Sequence, residues 1–288
     1  MLADLAQHVA DGIVLGAVLA LPALGLALVW RIAGFPHLAH GSLMTIGAYV
    51  AWGAIAFGVP LVLAVLLALS AATAAGIGMH LGVYSHLRGR PMLSLFLASI
   101  GVELFVRYGI VLAFGTDFRS FPFPALRGIR IGSIVITPID MVILLVGLAA
   151  LAAVWWGFRR TSIGREIRAV ADNPALARLS GISPERTLLA VWILVSVLAA
   201  VAGILLGVRN VLVPTLGWDV LLLAFAAAIL GGIANPFGAA VGALLMGIVG
   251  QIGILWIPTS YQQGIAFVLI ALVLLVRPRG LFGEAVRV

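Results

Sequence analysis

Apolar residues run along this chain in long stretches, and the polar residues are gathered between them. Stretches of near-bilayer length recur at 9–30, 37–57, 61–86, 92–114, 138–158, 187–207, 219–234, 238–256 and 262–276. A hydrocarbon core of about 30 Å takes roughly 20 apolar residues per helical crossing. The second and seventh stretches are short and read equally as half-spans or re-entrant segments. Helix is the element predicted throughout, because lipid satisfies no backbone group and a closed barrel needs alternating strands. The runs 138–158 and 262–276 are continuously apolar and do not alternate. The pattern therefore predicts an all-α polytopic membrane protein, a bundle of about eight or nine transmembrane helices forming one domain over residues 1–288.

Two polar interruptions are long enough to carry structure of their own. The first, 159–186, holds six of the seventeen arginines together with Glu166, Asp172 and Glu185. Within it Asn173 is a natural N-cap and Pro174 sits at the favoured first helical position, predicting a short helix that runs to Ser180 and stops at Gly181. Ser162 to Ala171 predicts another, with Ile163, Ile167 and Val170 along one side and Arg165 and Arg168 elsewhere. Two such helices suit docking into a groove on a partner; equally, they suit a solvated connector whose arginines only fix topology. The second interruption, 115–137, contains Pro122 and Pro124, which exclude a helix there. Its sequence Ile129-Arg130-Ile131, Gly132-Ser133, Ile134-Val135-Ile136 predicts a small hairpin with a glycine-led turn.

Composition narrows the function classes. With 63% hydrophobic and 9% charged residues this is no soluble globular protein. The net charge of +7 comes entirely from arginine, and retention of arginines on one membrane face explains it better than nucleic-acid binding. Without lysine there is no Walker-type phosphate loop, so any nucleotide-driven engine must lie on another chain. Without cysteine there are no disulfides, thiolate metal sites or cysteine nucleophiles. Residues 1–12 lack the basic n-region of a signal peptide, so the first apolar stretch is expected to be a retained span.

The arginines also predict sidedness. If 159–186 is cytoplasmic, Arg31, Arg88, Arg90, Arg277, Arg279 and Arg287 fall on the same side, giving twelve inside against Arg119, Arg127, Arg130 and Arg209 outside, with Arg107 in a span. That bias places the N-terminus outside and the C-terminus inside. Gly12/Gly16, Gly78/Gly82, Gly203/Gly207 and Gly238/Gly242 share a four-residue spacing that lets helix backbones approach closely in lipid.

A few polar side chains interrupt the spans. Ser99, Glu103 and Arg107 recur every fourth residue and share one helix face. An ionised residue at mid-bilayer costs about 2.5–3.5 kcal/mol on insertion scales, and a Glu–Arg pair one turn apart avoids much of it. The strip is either a polar face of a pathway or a buried structural pair. His37 and His40 are candidates for pathway or packing hydrogen bonds; as metal ligands with Glu103 they would lack a second pair, and no metal is expected. The segment Gly231 to Gly238, with Asn235-Pro236 in it, breaks a span. It reads as a tight turn between helices ahead of a substrate-binding break.

Several segments together resemble a family. Ala177 followed by Gly181-Ile182 resembles the coupling-loop motif of ABC-importer permeases, with Ala175 and Leu176 where that motif has Glu and Ala. Leu38-Ala39-His40-Gly41, Met44 and Gly47-Ala48-Tyr49 resemble the Asn-x-Ala-His-Gly-Glu…Gly-Ala-Tyr segment of branched-chain amino acid permeases of the LivH type. Ser99-Ile100-Gly101, Arg119-Ser120-Phe121-Pro122, Gly164-Arg165 with Arg168-Ala169, Leu230-Gly231-Gly232 and Arg277 to Gly283 match in order. The chain departs from the pattern at His37, preceded by Pro36, where the family has Asn, at Ser42 for Glu, and at Glu103, where relatives often carry a small or apolar residue.

The resemblance implies the membrane subunit of a bacterial inner-membrane ABC importer, with no catalysis or cofactor of its own. Its implied partners are a second, paralogous permease, two cytoplasmic ATP-binding subunits and a periplasmic solute-binding protein. The implied cargo is a branched-chain amino acid or a related small polar solute such as urea or an amide. It implies a pathway segment of His37, His40, Gly41, Ser42 and Tyr49, to which the reading of the residues adds Ser99, Glu103 and Arg107. Arg165, Arg168, Asn173, Pro174, Ala177, Gly181 and Ile182 would couple to the ATPases. A stand-alone proton-coupled transporter using Glu103 and the two histidines, or an intramembrane enzyme built on them, are the alternatives.

Overall fold

The computed structural model describes residues 2–124, 127–258 and 261–283. Its helices, in chain order, are α1 Leu2–Ala33, α2 His40–Ala56, α3 Leu61–Gly82, α4 Met92–Phe114, α5 Pro138–Arg160, α6 Ser162–Asp172, α7 Pro174–Leu179, α8 Pro184–Arg209, α9 Leu216–Gly231, α10 Pro236–Gly253 and α11 Gln262–Val276. A short 3-10 turn, Tyr84–Leu87, follows α3. Strands β1 Ile129–Ile131 and β2 Ile134–Ile136 lie between α4 and α5. Six helical segments are long and apolar enough to cross a membrane: Asp4–Ala33, Leu61–Leu87, Met92–Phe114, Pro138–Arg160, Pro184–Arg209 and Pro236–Gly253. The protein is all-α in its bulk and multi-pass.

The remaining apolar helices, α2, α9 and α11, have 17, 16 and 15 residues and are shorter than a full crossing. The stretch expected from residue 37 begins as helix only at His40, after a turn that closes from the His40 N–H to the His37 carbonyl at 3.2 Å. The first expected stretch extends to Leu2–Ala33, since Asp4, Gln7 and Arg31 stay helical beyond the apolar run.

The helix α1 is the axis of the molecule. It packs against α5, α8, α9 and α10, so one apolar core lies among α1, α2 and α8 and a second among α1, α9 and α10. Small residues make these contacts possible. A Cβ on Gly12 would lie 2.6 Å from the Ile248 backbone, one on Gly16 2.7 Å from Leu244, and one on Gly47 2.7 Å from Ala200. Gly203 meets the Met44 backbone and Gly242 the Ala227 carbonyl in the same way. In lipid, where apolar burial does not favour association, such close backbone packing supplies the attraction. Three of the four expected glycine pairs thus serve helix contacts; Gly78 and Gly82 face open space.

Both short helices α2 and α9 begin inside the bundle. His40 fills the notch at Gly25, eight residues before the end of α1, which is about 12 Å along a helix. Gly217, at the start of α9, stacks backbone to backbone on Gly41, and its N–H donates to Thr45 Oγ1 at 3.1 Å. At the far end of α9 the chain turns through Gly232 (φ 108°), and Asn235 caps α10. Leu281 and Phe282 return to donate N–H groups to the Leu230 and Gly231 carbonyls at 2.8 and 3.0 Å, satisfying otherwise orphaned helix-end acceptors. Gly231–Gly238 is therefore the tight turn between helices.

The two polar interruptions sit at opposite ends. At one end Arg31, Arg159, Arg160 and Arg168 gather beside Asn235, and Arg88 and Arg178 both approach Glu185. At the other, Arg209 lies 4.0 Å from Asp11 and 3.7 Å from Asp140, and residue 119 pairs antiparallel with Leu212. Arg31, Arg88, Arg159, Arg160, Arg168 and Arg178 thus lie at one end and Arg119 and Arg209 at the other; Arg287 lies outside the described residues.

Candidate functional site

Two regions hold the residues singled out above. The first is a buried polar seam where the 37–42 segment meets α4. Ser99 and Glu103, one turn apart, both face that segment and are fully buried. Ser99 Oγ accepts the Ala39 N–H at 3.0 Å and lies 3.5 Å from His37 Nδ1. One turn on, Ser42 Oγ donates to the Glu103 backbone carbonyl at 3.4 Å. The Glu103 carboxylate accepts from Arg107 Nε at 2.8 Å, and the Arg107 guanidinium sits 4.9 Å over the Trp218 ring. The pair neutralises itself within one helix, and removing one member of such a buried pair costs about 3–5 kcal/mol. The second carboxylate oxygen, Oε2, makes no hydrogen bond.

His37 anchors the other end of the seam. Its Nδ1 is 3.2 Å from the Tyr84 hydroxyl, and its ring packs edge-on against Trp192 at 4.9 Å. Tyr84 and His80, one turn apart beyond and within α3, both stack on Trp192 of α8. A cavity of about 330 Å³ descends from Arg88 and Arg90 to His80, Tyr84 and Trp192. Neither His80 nor Trp192 stood out in the sequence. The only signal was His80 and Tyr84 four residues apart in a stretch otherwise apolar, which would have placed them on one face.

The seam brings together His37, Ser42, Ser99, Glu103 and Arg107, with His40 and Gly41 along its edge. His40 is 6.0 Å from His37 ring to ring, and both its nitrogens lack hydrogen-bond partners. Tyr49 is not part of the seam: it lies nine residues on along α2, packed on Phe114 at 5.2 Å. Among the described residues no group of three or more His, Cys, Asp or Glu side chains is placed to hold a metal.

The second region is the helix pair α6–α7. Thr161 caps α6 by accepting the Gly164 N–H at 3.1 Å. A Cβ on Gly164 would fall 2.6 Å from Phe158 Cα, so this glycine sets the first turn of α6 directly on the end of α5. On the side shared by Ile163, Ile167 and Val170, the latter two are buried, while Ile163 is 51% exposed where it overhangs an apolar groove between α5 and α8. Asn173 Oδ1 accepts from Ala175 and Leu176 N–H groups, both at 3.0 Å, and caps α7. At the other end of α7, Gly181 takes φ 80°, its N–H donating to Arg178 O at 3.1 Å while Ile182 N–H donates to Ala177 O at 3.0 Å. This is a Schellman closure, which a residue with a Cβ would strain.

The pair is strapped to the bundle. Arg31 Nη2 meets Asp172 at 3.2 Å, Arg178 meets Glu185 at 2.7 Å, and Arg168 donates to the Phe158 carbonyl. Ala177 is buried in the strapped face. The opposite face of α7 shows Leu176 and Leu179, 60% and 87% exposed, with Arg165 also exposed on α6.

Residues 8–274 match the family model described as branched-chain amino acid transport system / permease component. The chain belongs to this permease family. It is 33% identical to the high-affinity branched-chain amino acid transport system permease protein LivH of Escherichia coli, over 96% of this chain and 95% of the relative. It is 30% identical to the corresponding protein BraD of Pseudomonas aeruginosa over the same shares. It is also 31% identical to the ribose import permease protein RbsC of Escherichia coli, over 89% of this chain and 81% of that one. The permease family is thus shared by relatives named for different cargoes.

Proposed function

We propose that this permease is the membrane subunit of an ABC importer that brings branched-chain amino acids into the cell. The observation that carries this is the pair Leu176 and Leu179. Two leucines stand exposed on a six-residue helix that lies beyond the spans and is fixed at both ends by caps. A solvated connector gains nothing from that arrangement, whereas an apolar knob flanked by Arg165 and Arg178 fits a groove on a partner ATPase. The cargo assignment is supported by the relatives' names; His37 and Ser42 in the seam are where a different small polar solute, such as urea or an amide, would be selected.

In this reading nine helices, α1–α5 and α8–α11, cross or enter the membrane, with the arginine-rich end cytoplasmic, the N-terminus periplasmic and the C-terminus cytoplasmic. A paralogous permease, two ATPases and a periplasmic binding protein complete the importer. Movement of the α6–α7 pair passes to α8 through Arg178–Glu185 and to α1 through Arg31–Asp172. On α8, Trp192 lies seven residues beyond Glu185, about two helical turns, where it closes the floor of the 330 Å³ cavity against His37 and Tyr84. ATP-driven motion of the coupling helices thereby reaches the seam of His37, His40, Gly41, Ser42, Ser99, Glu103 and Arg107.

The test is reconstitution in vesicles with the ATPases and a binding protein. Uptake of leucine, isoleucine or valine should require ATP inside and be abolished by Leu179→Asp. Uptake by this chain alone, driven by a proton gradient, would sink the proposal.

A further inference from the structure

The arginine-rich end contains a second cavity beside the straps of the coupling helices. It encloses about 820 Å³ and is lined by Arg31, Trp155, Phe158, Arg159, Arg160, Arg168 and the start of α10 at Asn235–Phe237. Four guanidinium groups from three helices, α1, α5 and α6, converge on it. Only Arg31 faces a carboxylate, that of Asp172. Arg168 is bonded to a backbone carbonyl, Arg159 stacks 4.8 Å over Trp155, and neither Arg159 nor Arg160 forms an ion pair among the described residues. The α10 N-terminus adds the positive end of an 18-residue helix dipole. Four like charges that share the single carboxylate of Asp172 repel one another, and an anion with several acceptor oxygens relieves that repulsion.

The depth of the cavity selects the anion. Trp155 and Trp156 are both exposed in the last turns of α5, separated from Arg159 and Arg160 by Gly157 and Phe158. A tryptophan pair followed by arginines at the end of a spanning helix marks the headgroup layer. Basic pockets between membrane helices at that level hold acidic phospholipid headgroups. We infer that this cavity binds the phosphate of an anionic phospholipid, with Arg159 and Arg160 as its principal donors and the acyl chains lying along the apolar outer face of α5, where Leu145, Leu148 and Trp156 are exposed. Only the spanning character of α5 is needed, whichever way it points. Because Arg168 and Arg31 also secure α6, a bound lipid would brace the coupling helices.

The experiment is native mass spectrometry of the detergent-purified permease with its partner subunits, offered equimolar phosphatidylglycerol and phosphatidylcholine. The wild type should retain phosphatidylglycerol selectively. Arg159→Gln with Arg160→Gln should lower that retention by about 30-fold, two arginines at about 1 kcal/mol each. Arg159→Lys with Arg160→Lys should keep most of it, and Arg88→Gln with Arg90→Gln, an equal loss of charge at the same end, should leave it unchanged. Melting temperatures check that every variant is folded. Equal losses in both glutamine pairs, or none in either, would overturn the site. Displacement of the lipid by millimolar inorganic phosphate would assign the cavity to free phosphate and overturn the lipid assignment. Loss of ATPase association with lipid retention unchanged would assign it to the ATPase instead.

Discussion

The segments 161–183 and 115–137 both leave the apolar bundle, yet they are fastened in different ways. The first is helical and is tied by two charged side-chain pairs, Arg31–Asp172 and Arg178–Glu185, with the Gly164 backbone set against the end of α5. The second is an extended chain tied mainly through backbone groups. Gln7 bonds both the N–H and the carbonyl of Val135, at 2.8 and 3.0 Å, and residue 119 exchanges two backbone hydrogen bonds with Leu212. Charged straps at a helical segment can yield and re-form as it moves; a backbone ladder fixes register and resists sliding. On the proposed reading, the first end is the one that moves with a partner and the second is a fixed rim.

The contrast can be broken or sharpened by mutation. The largest effect is expected from Gly164→Val, because the new side chain meets backbone that cannot move aside and overpacking costs about 1–3 kcal/mol or more. Trypsin should then cut at Arg165 or Arg168 roughly tenfold faster, while the hairpin stays protected; an unchanged rate would show that α6 is held by its ion pairs alone. Leu179→Asp should weaken ATPase association by about tenfold or more with the melting temperature unaltered, as for an exposed interface anchor. A shifted melting temperature would mean that Leu179 packs within the permease.

At the opposite end, Gln7→Leu removes two hydrogen bonds to Val135 and should cost about 1–2 kcal/mol. Faster hydrogen exchange at Val135 with normal ATPase association is the expected signature; equal disturbance of α7 would erase the distinction between the ends. Smallest of all, Asp172→Asn should cost less than about 1 kcal/mol, since its partner pair is largely solvent-exposed. The difference from wild type should fade in about 1 M salt, whereas the Gln7→Leu effect should persist.

Much of this was legible in the chain. Asn173, Pro174 and Gly181 announce α7 because caps and positive φ are local properties, decided within a few residues. The hairpin at Ile129–Ile136 is local for the same reason, and its register follows from Gly132 (φ 63°). Arginine counting grouped Arg31, Arg159, Arg160 and Arg168, which the fold gathers at one end, apart from Arg119 and Arg209 at the other. Periodicity put Ile163, Ile167 and Val170 on one side of α6 but did not say which neighbour covers it: Ile167 and Val170 are buried while Ile163 is left exposed. His80 and Trp192 passed unnoticed because a single polar or aromatic residue in an apolar helix acquires meaning only from what another helix sets against it.

By itself, then, the sequence determined the helical class, the apolar segments, the two polar segments and the family. These follow from hydrocarbon thickness, backbone hydrogen bonding and short-range chain geometry. Tertiary structure alone decided that α2 and α9 start inside the bundle at Gly41 and Gly217, that His37 joins Tyr84 and Trp192 beneath one cavity, and that four arginines from α1, α5 and α6 meet at another. Those arrangements depend on which small residues let which backbones touch, a long-range choice that no local pattern encodes.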